Sequence, residues 1–179
     1  HLRLFKENLS EKNVEFIAYR KKNRTPALNA DFSVNQDQSL EELYGVTIFD
    51  NIEEALKKEP DLAVISTPSS MHLEYAQLCA EKGINVFVEK PLSNSLEGLN
   101  ELKKIVDEKK VALQVGFQRR FHPHFQKTYD IIKSNKLGRI TNVIFTVASY
   151  IPRWHPYENY LDLYACRKDL GGGVLLTEI

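Results

Sequence analysis

The stretch NVFVEKP at residues 85–91 indicates the fold, because a short apolar run is followed at once by an acid, a lysine and a proline. Such a run is typical of a parallel strand with both faces covered. Glu89 and Lys90 then lie at its carboxyl end, where ligands bind in open α/β sheets. Pro91 ends the strand and stiffens the turn. The stretch predicts an active-site pair, with an exposed salt bridge at a strand end as the alternative.

The surrounding sequence alternates between short apolar runs and amphipathic segments, which predicts a Rossmann-type doubly wound parallel sheet of the α/β class. One predicted helix, 71–81, carries an apolar face and is followed by Gly83, suited to a helix end. Another, 95–109, has Ser95 as its predicted cap, and Asn51 marks a third helix start. The predicted strands are 14–19, 46–49, 62–66, 86–88 and 111–115.

Four motifs, in this order and spacing, resemble the glucose-fructose oxidoreductase/inositol dehydrogenase/rhizopine catabolism (Gfo/Idh/MocA) family. They are STP at 66–68 followed by His72, EKP at 89–91, VGFQRRF at 115–121 and GGG at 171–173. The resemblance covers nearly the whole chain. It implies an NAD- or NADP-binding Rossmann domain over residues 1–118 and the start of an α+β substrate-binding and dimerisation domain over 119–179.

The resemblance also implies an activity, the transfer of a hydride between nicotinamide and a carbon of a sugar, cyclitol or sugar nucleotide. Lys90 would be the catalytic lysine that hydrogen-bonds the reacting hydroxyl or carbonyl, and Glu89 would lie near the nicotinamide ribose. Without the resemblance, a Thr-Pro after a strand is an ordinary turn, and a histidine at a helix start is a cap or surface residue. The other cofactor-binding residues that it implies are Thr67, Pro68, His72 and Pro91.

The second predicted domain contains the candidate substrate residues. Residues 122–136 predict a helix and 140–151 a strand of an antiparallel sheet. Arg119 and Arg120 would line the cleft between the domains, although such a pair is otherwise typical of a solvated surface. In the loop at 152–157, Trp154 and His155 suit stacking on a sugar or nucleotide ring. A packed surface loop explains that loop equally well.

Two further residues are candidates for the substrate side. Tyr164 could face substrate, although a structural role is the alternative. Thr177 aligns with an aspartate of the family, and threonine cannot act as that acid. The histidine that completes the proton-transfer group would lie beyond residue 179. This departure leaves a second hypothesis, a catalytically silent relative that binds nucleotide or sugar as a sensor or scaffold.

The residues after the first predicted strand bear on the choice of cofactor. Dinucleotide enzymes that use NAD place an acid there, whereas a 2′-phosphate requires cations. Arg20, Lys21 and Lys22 follow this strand with no acid among them. The planar guanidinium of Arg20 suits a phosphate. The sequence therefore favours NADP over NAD, with a solvated basic turn as the alternative.

Both ends differ from the family pattern. The sequence opens with residues typical of the helix that follows the glycine-rich phosphate loop, and neither that loop nor the strand before it is present. That strand is central in the order 3-2-1-4-5-6, and the loop holds the pyrophosphate. The sequence therefore predicts a piece of a longer protein, with an intact mass well above that of these residues.

Composition excludes several classes of partner. Lys plus Arg equals Asp plus Glu at 24 each, so no basic field favours nucleic acid or an anionic membrane. No apolar run approaches the roughly 20 residues of a membrane span. Cys79 and Cys166 are too few and too far apart in sequence for a metal site. We expect a cytoplasmic protein with a small-molecule sugar or cyclitol substrate, and the family implies a homo-oligomer, either dimer or tetramer.

Overall fold

The computed structural model describes residues 1–9, 11–20, 26–29 and 31–177. It divides into two compact units. The first comprises His1–Pro60 with His155–Glu158, and the second comprises Asp61–Trp154 with Asn159–Ile179. The domain boundary predicted between residues 118 and 119 stays a prediction.

The described residues of the first unit form a two-stranded parallel sheet and three short helices. Phe16 pairs with Val46 at the start of the sheet, and Tyr19 pairs with Phe49 at its end. Asn51 caps one helix by accepting a hydrogen bond from the Glu53 N–H, which confirms the predicted helix start. The elements in chain order are α1 (Leu2–Asn8), β1 (Phe16–Tyr19), α2 (Leu40–Tyr44), β2 (Val46–Phe49) and α3 (Ile52–Leu56).

The second unit contains a three-stranded parallel sheet in the order β3-β4-β5. Val86 and Val88 of its middle strand are almost fully buried, as expected for a strand covered on both faces. The two sheets have the pairings of strands 2–3 and of strands 4–5–6 in a Rossmann fold, so the predicted α/β class is confirmed. The elements are β3 (Leu62–Ile65), α4 (His72–Glu81), β4 (Asn85–Val88), α5 (Leu99–Lys109) and β5 (Leu113–Val115).

The start of α5 differs from the prediction. Gly98, with a φ of +81°, is the cap residue, and the helix begins at Leu99 rather than at residue 95. The hydroxyl of Ser95 accepts a hydrogen bond from the Glu97 N–H instead. A serine hydroxyl bonded to a backbone N–H two residues on stabilises a local turn, which competes with the helix at this point.

The remainder of the second unit is mostly irregular. Helix α6 (Pro123–Lys133) begins at the cap residue His122 as predicted and ends three residues before the predicted 136. The strand predicted over 140–151 is wrong, because residues 140–150 adopt neither strand nor helix. A strand needs a neighbour for its N–H and C=O groups, and no described residue pairs with this segment. Short 3₁₀ turns follow, and the helical turn α7 (Val174–Thr177) comes after the glycine triplet.

No helix in the described part of the chain has the length and apolar character needed to cross a membrane.

Candidate active site

The carboxyl ends of β3, β4 and β5 bring three loops to one edge of the sheet. The Glu89 N–H donates to the Ile65 carbonyl at 2.9 Å, and the Gly116 N–H donates to the Val88 carbonyl at 2.8 Å. These bonds keep the first residue after β4 next to the end of β3, and the first residue after β5 next to the end of β4. The loops that follow carry three of the predicted motifs, so the sheet itself places them side by side.

Lys90 lies at this edge and lines a cavity of about 260 Å³. Its ammonium donates a hydrogen bond to the main-chain carbonyl of Thr177, and its backbone N–H lies 3.2 Å from Glu89 Oε2. The Lys90–Pro91 peptide bond is cis. Among the predicted site residues, the structure brings five to this cavity, namely Lys90, Pro91, Arg119, Arg120 and Thr177.

Thr177 meets the lysine through its backbone. Its side chain is buried, and its hydroxyl donates to the Gly173 carbonyl at 3.0 Å, one helical turn earlier. The position aligned with an acid therefore offers the lysine a carbonyl oxygen in this structure. This contact could not be predicted from side-chain identities, because a backbone carbonyl leaves no pattern in the sequence.

The two arginines at the cavity are exposed, and aromatic rings support both. The Arg119 guanidinium lies 5.9 Å from the centre of the Phe125 ring, and that of Arg120 lies 5.7 Å from the Phe117 ring. A cation–π contact of this kind favours one placement of the guanidinium and leaves its N–H donors accessible. Both guanidinium groups therefore have N–H donors available at the lining of the cavity.

Gly116 makes room for the carboxylate beside Lys90. A Cβ at this position would lie 3.3 Å from Glu89 Oε2 and 3.1 Å from Phe87 Cζ. Both separations are tighter than most contacts of real Cβ atoms, so a larger residue would push the Glu89 carboxylate. This is the physical reason for glycine at the start of the GFQRRF motif.

His72 lies behind the cavity rather than in it. The side chain is 1% exposed, and its two ring nitrogens face the backbone carbonyls of Thr67 and Pro91. Close by in the sequence, the hydroxyls of Thr67 and Ser69 are buried with no hydrogen-bond partner in the described structure. Sequence reasoning singled out Thr67, Pro68 and His72 but missed Ser69, whose burial follows only from packing.

A second cavity, of about 350 Å³, is lined largely by the chain segment that follows α6. Trp154 and Cys166 contribute to its lining together with Thr177. Tyr164 is half-buried in the 3₁₀ turn before Cys166, and its carbonyl accepts from the Arg167 N–H at 2.9 Å.

Two predicted residues belong to the first compact unit. His155 lies 2.8 Å from Glu158 through Nδ1 and Oε1, and its ring stacks on Tyr157 with centres 5.3 Å apart. Arg20 directly follows β1, and its backbone N–H donates to the Phe49 carbonyl at 3.0 Å. Arg20 therefore lies at the carboxyl edge of the two-stranded sheet. Lys21 and Lys22 lie outside the described residues.

The sequence over these elements matches a known family. Residues 3–117 match an oxidoreductase family with an NAD-binding Rossmann fold, Gfo/Idh/MocA. The chain belongs to the Gfo/Idh/MocA family. This confirms the predicted resemblance to the family.

Members of the family with different cofactors are similar to this chain. The scyllo-inositol 2-dehydrogenase (NAD(+)) of Bacillus subtilis (strain 168) is 39% identical over 79 residues, covering 44% of this chain and 23% of that protein. The scyllo-inositol 2-dehydrogenase (NADP(+)) IolW of the same organism is 31% identical over 102 residues, covering 55% of this chain and 28% of that protein. The matched region thus spans about a quarter of these curated relatives.

Among solved structures, the chain is similar to the WlbA dehydrogenase of Bordetella pertussis, which was crystallised in complex with NADH and UDP-GlcNAcA. The two are 24% identical with a TM-score of 0.59, over 78% of this chain and 40% of that chain. At this identity the likeness shows a shared fold alone.

Proposed function

We propose that this Gfo/Idh/MocA protein is an NAD(P)-dependent oxidoreductase that transfers a hydride between nicotinamide and a carbon of a sugar, cyclitol or sugar nucleotide. One observation carries the proposal. Lys90 reaches the cavity at the carboxyl edge of the sheet from the strand end where family membership predicts the catalytic lysine.

Lys90 is the residue that we expect to move the proton. Its ammonium can donate a hydrogen bond to a substrate carbonyl, and its amine form can accept a proton from a substrate hydroxyl. The carbonyl of Thr177 orients the Nζ atom, while the Glu89 carboxylate lies beside the Lys90 backbone. A group held this way approaches substrate in one geometry, which lowers the entropic cost of proton transfer.

The chain carries groups that fit a bound dinucleotide. The buried Thr67 hydroxyl has no partner in the described structure, and leaving such a group unsatisfied costs about 1–3 kcal/mol. A ligand at the carboxyl edge would supply the missing partner. We therefore assign Thr67, Pro68, Glu89 and Pro91 to cofactor binding, and the cofactor when bound would supply or accept the hydride.

Arg20 supports a preference for NADP over NAD. It lies at the carboxyl edge of β1, where an acid would pair with the adenosine ribose in an NAD enzyme and would repel a 2′-phosphate. A guanidinium at that position can instead bind the phosphate with two parallel hydrogen bonds. The relatives include forms named for each cofactor, so the choice rests on this residue.

We assign Arg119 and Arg120 to substrate binding, because they line the same cavity as Lys90. They would donate hydrogen bonds to hydroxyl or anionic groups of the substrate. Trp154, which lines the second cavity, offers an indole face for a sugar ring. His155 and Tyr164 stay predictions as substrate contacts. A cytoplasmic location and a homo-oligomer are likewise proposed from the family resemblance alone.

The test is the substitution Lys90→Met, with Lys104→Met as the matched control. Lys104 lies on the exposed face of α5, so its substitution makes the same change in charge away from the cavity. We expect Lys90→Met to lower turnover of sugars and cyclitols by at least about 10²-fold, the low end for a lost general acid–base group. Affinity for NADPH and NADH, followed by nicotinamide fluorescence, should stay unchanged. Full turnover in Lys90→Met would reject this mechanism.

The second candidate function is a catalytically silent relative that binds nucleotide or sugar as a sensor or scaffold. The observation that favours it is Thr177, whose hydroxyl is bonded to Gly173 and supplies no acid. Dinucleotide binding with no turnover of any sugar, cyclitol or sugar nucleotide by the unsubstituted protein would support this alternative over the enzyme.

A further inference from the structure

The cavity at Lys90 is lined by positively charged side chains. Lys90, Arg119 and Arg120 contribute to it, and none of the described acidic side chains does. The Glu89 carboxylate lies 3.2 Å from the Lys90 backbone nitrogen and is not part of the lining, so it balances at most one of these charges. The lining therefore carries a net positive charge.

The two arginines of this lining form no ion pair with any carboxylate in the described part of the chain. Arg167, by comparison, donates to Asp169 at 2.6 Å. The contacts of the Arg119 and Arg120 guanidinium groups are with aromatic rings, which leave the N–H donors available. The charge of both groups is therefore available to a ligand.

The local backbone keeps these two charges near each other. Both residues belong to the 3₁₀ turn Gln118–Phe121, where they are consecutive. Like charges at short range repel, and a neutral hydroxyl relieves none of that repulsion. A carboxylate or phosphate relieves it, and its oxygens accept parallel hydrogen bonds from a guanidinium. The lining therefore favours a ligand with an anionic group over a neutral sugar or cyclitol.

We propose that the substrate carries an anionic group, a carboxylate or a phosphate, which Arg119 and Arg120 bind in the same cavity as Lys90. Because one cavity of about 260 Å³ contains all three side chains, the anion and the reacting carbon belong to one molecule. A lining of one sign also raises the local concentration of an oppositely charged substrate. The inference rests on the proposed oxidoreductase function and narrows its substrates to sugar acids, sugar or cyclitol phosphates and sugar nucleotides.

The substitutions Arg119→Gln and Arg120→Gln test the proposal. Glutamine keeps amide N–H donors and removes the positive charge, so the main change is in charge. The control is Arg139→Gln, the same change at an exposed residue of the same compact unit that lines neither cavity.

The first readout is turnover of neutral and charged substrates. Neutral hexoses and inositols are compared with hexuronates, with hexose and inositol monophosphates, and with UDP-linked hexoses. A charged compound should have the highest kcat/KM, and its class identifies the anion. Each substitution in the cavity should raise the KM for that compound by about 10- to 100-fold, as for one lost charge-assisted hydrogen bond, with kcat and NADPH affinity kept. The control should change none of these constants.

The second readout needs no turnover. Calorimetric titration with inorganic phosphate should show binding that weakens by about tenfold or more in both cavity variants and not in the control. Such binding in a protein without turnover would reject the proposed oxidoreductase and keep the anion site. A neutral hexose or inositol as the best substrate, an equal rise in KM for neutral and charged substrates, or a loss confined to NADPH affinity would overturn the proposal. Without turnover, phosphate binding that is absent or is unchanged by both substitutions would also overturn it.

Discussion

The substitution Gly172→Ala should be among the most damaging single-methyl additions to this chain. An alanine Cβ at residue 172 would overlap the carbonyl oxygen of Tyr164 and would lie 2.7 Å from both the carbonyl carbon and oxygen of Ala165. All these atoms belong to the backbone, so no side-chain rotation can relieve the clash. The Gly173 N–H also donates to the Ala165 carbonyl at 2.9 Å, which ties the two segments together.

The magnitude follows from the nature of the clash. Overpacking against side chains costs about 1–3 kcal/mol, and a clash with fixed backbone lies at or above the top of that range. We therefore expect Gly172→Ala to lower the free energy of unfolding by about 3 kcal/mol or more. Helix α7 starts two residues later and carries the Thr177 carbonyl that accepts from Lys90, so turnover should fall as well.

The matched control is Gly138→Ala, in the same compact unit. Gly138 has a φ of +64°, and a methyl group added there would meet nothing within 4 Å, so this change carries the backbone strain alone, roughly 1–2 kcal/mol. Urea unfolding of both variants gives the two free energies, and limited proteolysis detects local release of residues 159–177. Equal stability and equal protease resistance of Gly172→Ala and Gly138→Ala would show that the added methyl group meets no fixed backbone.

Two further predictions concern stability away from the cavity. The Asn85 side chain donates to the Asp61 carbonyl at 3.0 Å and accepts from the Ala112 N–H at 2.9 Å. Because it is exposed, Asn85→Ala should cost only about 1 kcal/mol in urea unfolding with kcat unchanged, and a loss of turnover would contradict this placement at the amino edge. Burial raises the pKa of the Cys79 thiol to about 11 from 9.0. The thiol therefore ionises at a lower pH in the unfolded chain than in the folded protein. The free energy of unfolding should fall by at most about 2 kcal/mol as pH rises from about 9 to about 11. Cys79→Ala should remove that part of the decline, and an identical pH dependence in both proteins would reject it.

The five parallel strands were predictable because their signal is local. The apolar run before Glu89 and Lys90 shows by itself how long the strand is and where it ends. Parallel pairing then places the ends of neighbouring strands at one edge of the sheet. Asn51 at the start of α3 was predictable for the same reason, since a side-chain cap acts within two or three residues. The cap predicted at Ser95 was wrong, because two local hydrogen-bonding options compete there and the chain adopts the turn.

The order of the parallel strands and their helices, the family and the strand end that carries Lys90 could be predicted from the sequence, because these depend on periodicity and motif spacing. Which groups meet at that strand end is set by the tertiary structure. It gave the lysine a backbone carbonyl of Thr177, enclosed His72 between two loops, and left residues 140–150 without a strand partner in the described chain. Contacts between residues far apart in sequence depend on how whole elements pack, and no local pattern of side chains encodes them.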